Sequence, residues 1–209
     1  MFGDGSLTLR EFAVHEPLPL AVVQGAILEF LRHRPDAVLF GSQAVNAYVS
    51  EPRMTQDVDI LAVHAGELAD ELRDHLRERF HIAVRVRRMA RNRGFRIFQS
   101  RQGTPRHLAD IRMVDALPPA RKIGGVAVLV PEDLIAAKVI GFHRRSGQPK
   151  AFTDRRDIAV LLLRFPHLRR YDGVVRQRLE ATGVEESVLA AWRQIAGEPV
   201  KRRGEGDEF

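Results

Sequence analysis

Two aspartates two residues apart stand in an apolar stretch, Asp57-Val58-Asp59-Ile60-Leu61, and this pair constrains the chain more than any other feature. In a strand, alternation puts both carboxylates on one face and Val58 and Ile60 on the other. Adjacent carboxylates repel unless a cation lies between them, and hard oxygen donors at that separation suit Mg²⁺. A solvated strand end would need no such cation, but the apolar flanks argue for burial, and buried charge needs compensation. Upstream, Val38-Leu39-Phe40 is an apolar run that stops at Gly41-Ser42, where a helix can begin. A glycine lets backbone approach a ligand closely, and the free N–H groups at a helix start favour phosphate. A phosphate site beside a metal site is what nucleotide chemistry needs.

The rest of the chain sets bounds on that reading. Its 209 residues, 44% hydrophobic and 29% charged, suffice for one large domain or two small ones with a real core. No apolar run approaches the ~20 residues of a membrane helix, and MFGDGSLTLREF lacks the pattern of a secretory signal. Cysteine is absent, which removes disulfides and thiolate metal sites and makes the cytoplasm the expected compartment. The net charge of +6 is compatible with a nucleic-acid partner. From His81 to Ala109 there is no acidic residue, yet arginines stand at 85, 87, 88, 91, 93, 96, 101 and 106.

Taken in order, the chain reads as an α+β protein. Leu7-Thr8-Leu9 suggests a short strand, and Leu18 to Arg34 a helix ended by Pro35-Asp36. Glu67 to Phe80 is an amphipathic helix with Leu68, Leu72, Leu76 and Phe80 on one side. Ile82 to Val86, Phe95 to Phe98 and His107 to Val114 read as strands, the first two as a hairpin. Ile123 to Val130 reads as a last apolar strand with a Gly-Gly start. Helices follow over Pro131–Arg145, Asp154–Arg164, Tyr171–Ala181 and Glu185–Ile195. The expected organisation is an α/β core over 1–130, a helical region over 131–197, and a disordered tail over 198–209.

Gly41-Ser42 followed by Arg53-x-Thr55-x-Asp57-x-Asp59 resembles the opening motif of the polymerase-beta-like nucleotidyltransferases. Within them it is similar to the AbiEii branch, which holds toxins of the AbiE and MenT type. The resemblance runs from about Asp36 to Leu163. It implies a mixed β-sheet with flanking helices followed by a helical bundle. It also implies transfer of a nucleoside monophosphate from a nucleoside triphosphate to an acceptor hydroxyl, with one or two Mg²⁺ ions. The AbiEii branch further implies a tRNA 3′ end as acceptor and a toxin opposed by an antitoxin.

The same resemblance assigns residues. Asp57 and Asp59 would hold the metal, and Gly41 and Ser42 the phosphates. A third carboxylate on a neighbouring strand would complete the cage or take the acceptor's proton; Asp110 fits, and Asp115 at the strand's end is its competitor. Lys138, the lone charge in Leu134–Phe142, matches a family lysine that contacts the triphosphate. Asp154 and Asp157 match an Asp-x-x-Asp in the following helix, Asp154 among the catalytic residues and Asp157 among those binding the nucleotide. As cap and first-turn acids they would need no such role. Arg53 and Thr55 match the Arg-x-Thr; Arg53 either binds phosphate or steadies its loop.

Arg85, Arg87, Arg88, Arg91, Arg93 and Arg96 are candidates for gripping an acceptor's phosphate backbone, against a merely solvated hairpin. Ser42 lacks the Gly-x-Ser-x-Gly setting of a hydrolase nucleophile, and the histidines lack His-Glu-x-x-His spacing. Two other functions remain open. One is transfer to a small molecule of the aminoglycoside type. The other is a catalytically silent relative that binds RNA or a partner.

Overall fold

The computed structural model describes residues 18–101 and 103–200, so the strand expected at Leu7–Leu9 and the end of the expected tail lie outside the described residues. These residues form two compact units. One comprises the described residues up to Ala47 together with those of Arg53–Leu129; the other comprises Tyr48–Pro52 and the described residues from Val130.

The first unit is built on a seven-stranded mixed sheet, β1 Ala37–Phe40, β2 Val58–Ala62, β3 Val84–Arg88, β4 Gly94–Gln99, β5 Arg106–Met113, β6 Ala120–Ile123 and β7 Val126–Leu129, in the order β3-β4-β5-β2-β1-β7-β6. β2 runs parallel to β5, and β1 runs parallel to β7 and antiparallel to β2. Among the described residues, three helices accompany the sheet: α1 Leu20–Phe30, α2 Gly41–Tyr48 and α3 Ala65–Phe80. Helix α3 packs on β3, β4, β5 and β2. Its apolar stripe, Leu68, Leu72 and Leu76, is fully buried, as periodicity of 3.6 residues requires of a helix with one covered side. Gly66 in its first turn sits so close to Phe95 that a Cβ there would meet the ring at 3.4 Å. Phe95, Ile97, Ala109 and Ile111 therefore belong to the helix-covered face, and by alternation Arg96 and Asp110 belong to the other.

One expected element is corrected. Ile123 to Val130 is not a single strand: Gly124 (φ 58°) and Gly125 (φ 86°) turn the chain between β6 and β7. Positive φ at both central residues is what a two-residue hairpin with the sheet's twist demands, and glycine adopts it without steric cost.

The second unit is helical: α4 Pro131–Arg144, α5 Pro149–Arg164, α6 Val174–Ala181 and α7 Glu186–Gly197. α5 begins five residues before Asp154, with Pro149 at its first position. The capping alternative for Asp154 and Asp157 is thereby overturned, since both lie within the helix and are buried. α6 starts at Val174 rather than Tyr171. Trp192 of α7 is fully buried and its indole N–H donates to the Tyr171 carbonyl at 3.2 Å. Within the same unit, the edge of the Tyr48 ring meets Phe165 and Arg156 donates to the Glu51 carbonyl at 2.9 Å, which fastens Tyr48–Pro52 to α5. No helix among the described residues is long and apolar enough to cross a membrane.

Candidate active site

Register brings the expected carboxylates together. Asp59 on β2 lies directly opposite Asp110 on β5. Asp110 lies opposite Arg96 on β4, and Arg96 opposite Arg87 on β3. A single row thus crosses the sheet: Arg87, Arg96, Asp110, Asp59, then Phe40 of β1. Like charges directly opposite destabilise a sheet, so the Asp59–Asp110 pair calls for cations around it. Asp57 precedes β2 by one residue. Asp115 is exposed in a bend after β5, away from this row, while Asp110 is 5% exposed.

His107 was not among the residues expected here. The strands β4 and β5 slip by one residue, so that Ile97 faces Ala109 but Phe98 faces His107, and Leu108 is left as the extra residue of a bulge. Leu108 and Ala109 are both fully buried. In a regular strand His107 and Asp110, three apart, would point to opposite faces; the bulge turns His107 onto the face of Asp110. Its Nε2 is 2.7 Å from Asp110 Oδ1 and its Nδ1 is 3.3 Å from Asp57 Oδ2. Arg96 Nε donates to the same Asp110 oxygen at 3.1 Å. The hydrogen bond to Asp110 raises the His107 pKa above its ordinary value against the opposing effect of burial, with the Asp110 and Asp57 charges adding to it. Burial pushes the Asp110 carboxyl up, but the bond from His107 and the charges of His107, Arg96 and Arg112 outweigh it and hold the group below the usual carboxylate range. Asp110 is therefore ionised at neutral pH.

The donor set fits a divalent cation. Asp57, His107 and Asp110 each offer one ligand atom, and these atoms lie within 4.8 Å of one another. Asp59 is placed otherwise: its carboxylate packs against Gly41, where an added Cβ would stand 2.0 Å from Oδ2.

Gly41 adopts φ 70° at the junction of β1 and α2, so both its conformation and its contact with Asp59 require a missing side chain. Gly41→Ala is expected to lose about 1–3 kcal/mol from the strained φ alone and to push the Asp59 carboxylate aside. Urea unfolding checks the first effect. Ser42 accepts a hydrogen bond from Arg53 Nη2 at 2.5 Å. Asn46 clasps the Arg53 backbone at both N–H and carbonyl, 3.1 and 2.8 Å. Thr55 Oγ1 donates to the Asp57 carbonyl at 3.3 Å, and Gln24 donates to the Thr55 carbonyl at 2.9 Å. These bonds fix the loop that delivers Asp57.

The arginines divide. Arg85 and Arg87 share the face of Arg96 and the carboxylates. Arg88 is on the opposite face, over the Phe95 ring, while Arg91 and Arg93 lie in the turn between β3 and β4. Arg96 is not without an acid, as its own segment suggests; the acid comes from β5.

In the helical unit, Lys138 of α4 and Asp154 and Asp157 of α5 form a buried cluster. Lys138 Nζ is 2.7 Å from Asp157 and 3.3 Å from Asp154. Arg145 Nε also donates to Asp154, at 3.0 Å, and Arg156 lies 3.6 Å from Asp157.

No known family model matches the chain, and no curated protein sequence matches it. Solved structures do. The polyadenylate synthase of Megavirus superposes with a TM-score of 0.60 and 17% identity over 75% of this chain and 34% of that one. JHP933 from Helicobacter pylori superposes with a TM-score of 0.58 and 13% identity over 91% of this chain and 92% of that one. The antibiotic-resistance factor ANT(2'')-Ia gives a TM-score of 0.47 at 17% identity, over 88% of this chain and 95% of that one. The chain spans about a third of the length of the polyadenylate synthase. The chain shares its fold with the Megavirus polyadenylate synthase and JHP933, an α+β architecture with a mixed seven-stranded sheet.

Proposed function

We propose that the protein is a Mg²⁺-dependent nucleotidyltransferase that moves a nucleoside monophosphate from a nucleoside triphosphate to an acceptor hydroxyl. The observation that carries this reading is Asp59 standing opposite Asp110, with Asp57 joined to Asp110 through His107 and the glycine turn of Gly41 against Asp59. Asp57 and Asp110 would hold the ion, with Asp59 contributing from beside Gly41, and Gly41 and Ser42 would cradle phosphate. A bound divalent ion neutralises charge that develops on the transferred phosphoryl group. Asp110, ionised and fixed by His107 and Arg96, positions the acceptor hydroxyl and takes its proton. The hydroxyl oxygen attacks the α-phosphorus in line and pyrophosphate leaves. Within the helical unit, Asp154 and Asp157 hold the Lys138 ammonium in place.

The acceptor in this reading is RNA, a tRNA 3′ end, and the protein is the toxin of a toxin–antitoxin pair. Arg85, Arg87 and Arg96 on the carboxylate face support a polyanionic acceptor over a cationic aminoglycoside. Arg85→Ala and Arg87→Ala are expected to weaken RNA binding at every sequence and each to reduce the slope of log affinity against log salt by about 1. A filter-binding titration across salt concentrations reads this.

The deciding experiment offers labelled nucleoside triphosphates and Mg²⁺ to total RNA, with wild type, Asp57→Asn and Asp59→Asn compared. Label on tRNA with wild type alone establishes the reading. Pyrophosphate release with a small-molecule extract but no labelled RNA moves the acceptor to the drug-like class. Silence in both, with no triphosphate binding, leaves a binding protein.

A further inference from the structure

The transfer reading asks of His107 only that it steady Asp110. An all-oxygen set of Asp57, Asp59 and Asp110 would satisfy Mg²⁺, which binds carboxylates and water and keeps several of its waters. A histidine brought between two of those carboxylates changes the chemistry of the site. It is there because of a distinct backbone feature. Without the bulge at Leu108, His107 would face the helix-covered side of the sheet and Asp110 alone would reach Asp57. The ring is also held from outside: Phe98 of β4 lies against it with centroids 5.1 Å apart. Arg87 in turn lies over Phe98 at 5.4 Å. An imidazole with ring packing on one side and a carboxylate near each nitrogen has few orientations left.

We propose that His107 is a direct ligand of the divalent ion, in a mixed set with Asp57 and Asp110, so that the site selects Mn²⁺ over Mg²⁺ more strongly than carboxylates alone would. This rests on the metal-dependent transfer proposed above and refines its ion. Imidazole nitrogen is a poor ligand for Mg²⁺ and a better one for first-row transition ions, among which Mn²⁺ gains least and still binds nitrogen more readily than Mg²⁺ does, while carboxylate serves both. The set Asp57, His107, Asp110 has its ligand atoms within 4.8 Å of one another, a span that one ion can bridge. Arg96 donates to Asp110 at 3.1 Å and orients its carboxylate.

Binding and spectroscopy on the full-length protein test this. Mn²⁺ bound to wild type is expected to show nitrogen-14 modulation from a coordinated imidazole in pulsed electron paramagnetic resonance. That measurement needs no variant, so it stands whether or not a substitution perturbs folding. His107→Asn is expected to remove the modulation and to weaken Mn²⁺ by ~10-fold or more, while Mg²⁺, read by competition, changes by less than about 3-fold. Absence of nitrogen modulation in wild type overturns the proposal, as does His107→Asn with unchanged Mn²⁺ affinity or an equal loss for both ions. Asp57→Asn and Asp110→Asn separate the two levels of the argument. If they lose both ions while His107→Asn loses neither, only the role of His107 fails. If they too bind as wild type, the metal site fails, and with it the proposed transfer.

Discussion

Lys138→Met is expected to cost about 3–5 kcal/mol of stability, read as a fall of roughly 1 M or more in the urea midpoint at neutral pH. Methionine retains an unbranched apolar chain, so little packing is lost. What is lost is the ammonium shared by Asp154 and Asp157, which are 1% and 0% exposed. A buried carboxylate deprived of its partner cannot regain hydration, and that asymmetry is why removing one partner costs more than the pair was worth. Asp154 would keep Arg145 at 3.0 Å and Asp157 would keep Arg156 at 3.6 Å, but neither replaces the ammonium that both carboxylates share. Adding Asp157→Asn to Lys138→Met is therefore expected to restore much of the loss, and a double-mutant cycle measures the coupling. A lysine that served only a bound phosphate would behave oppositely: its removal would leave the free protein's midpoint unchanged. That outcome would sink the account of the cluster as an internal ion network.

Much of this arrangement can be read from the sequence, and what cannot has particular causes. The stretch Ala37–Ala62 announces itself because strand alternation, an apolar run and a glycine at a helix start all agree there. Asp110 is legible as a charge inside an otherwise apolar strand. His107 is not. Reading it requires the bulge at Leu108, and nothing in Arg-His-Leu-Ala-Asp distinguishes a bulged strand from a regular one. The partner of Arg96 is hidden for a related reason, since cross-strand neighbours depend on register and Asp110 is 14 residues away. The burial of Asp154 and Asp157 follows from where α5 starts, and a proline at Pro149 was the available signal. The Gly124-Gly125 turn also carried its own signal, masked by the apolar residues on both sides.

Asp59→Asn is expected to lower transfer by about 10³-fold or more with little loss of stability, and Asp57→Asn likewise. The substitution keeps shape and removes charge, so the change isolates electrostatics. Stability is expected to hold, because asparagine keeps the shape of the side chain that packs against Gly41. A protein that unfolds no earlier yet transfers nothing has lost a catalytic group and not its fold. Gly41→Ala complements this test through the same carboxylate, since the new methyl group would occupy the place of Asp59 Oδ2. It should lose both stability and transfer, whereas Asp59→Asn loses transfer alone. Parallel urea unfolding and single-turnover transfer on the two variants make the comparison. Equal transfer by Asp59→Asn and wild type would remove Asp59 from the chemistry and leave Asp57, His107 and Asp110 as the only charged set at the site with metal-binding geometry among the described residues. Loss of stability in Asp59→Asn instead would mean that the carboxylate is a structural hydrogen-bond acceptor, and that the repulsion inferred from the register is already relieved within the protein.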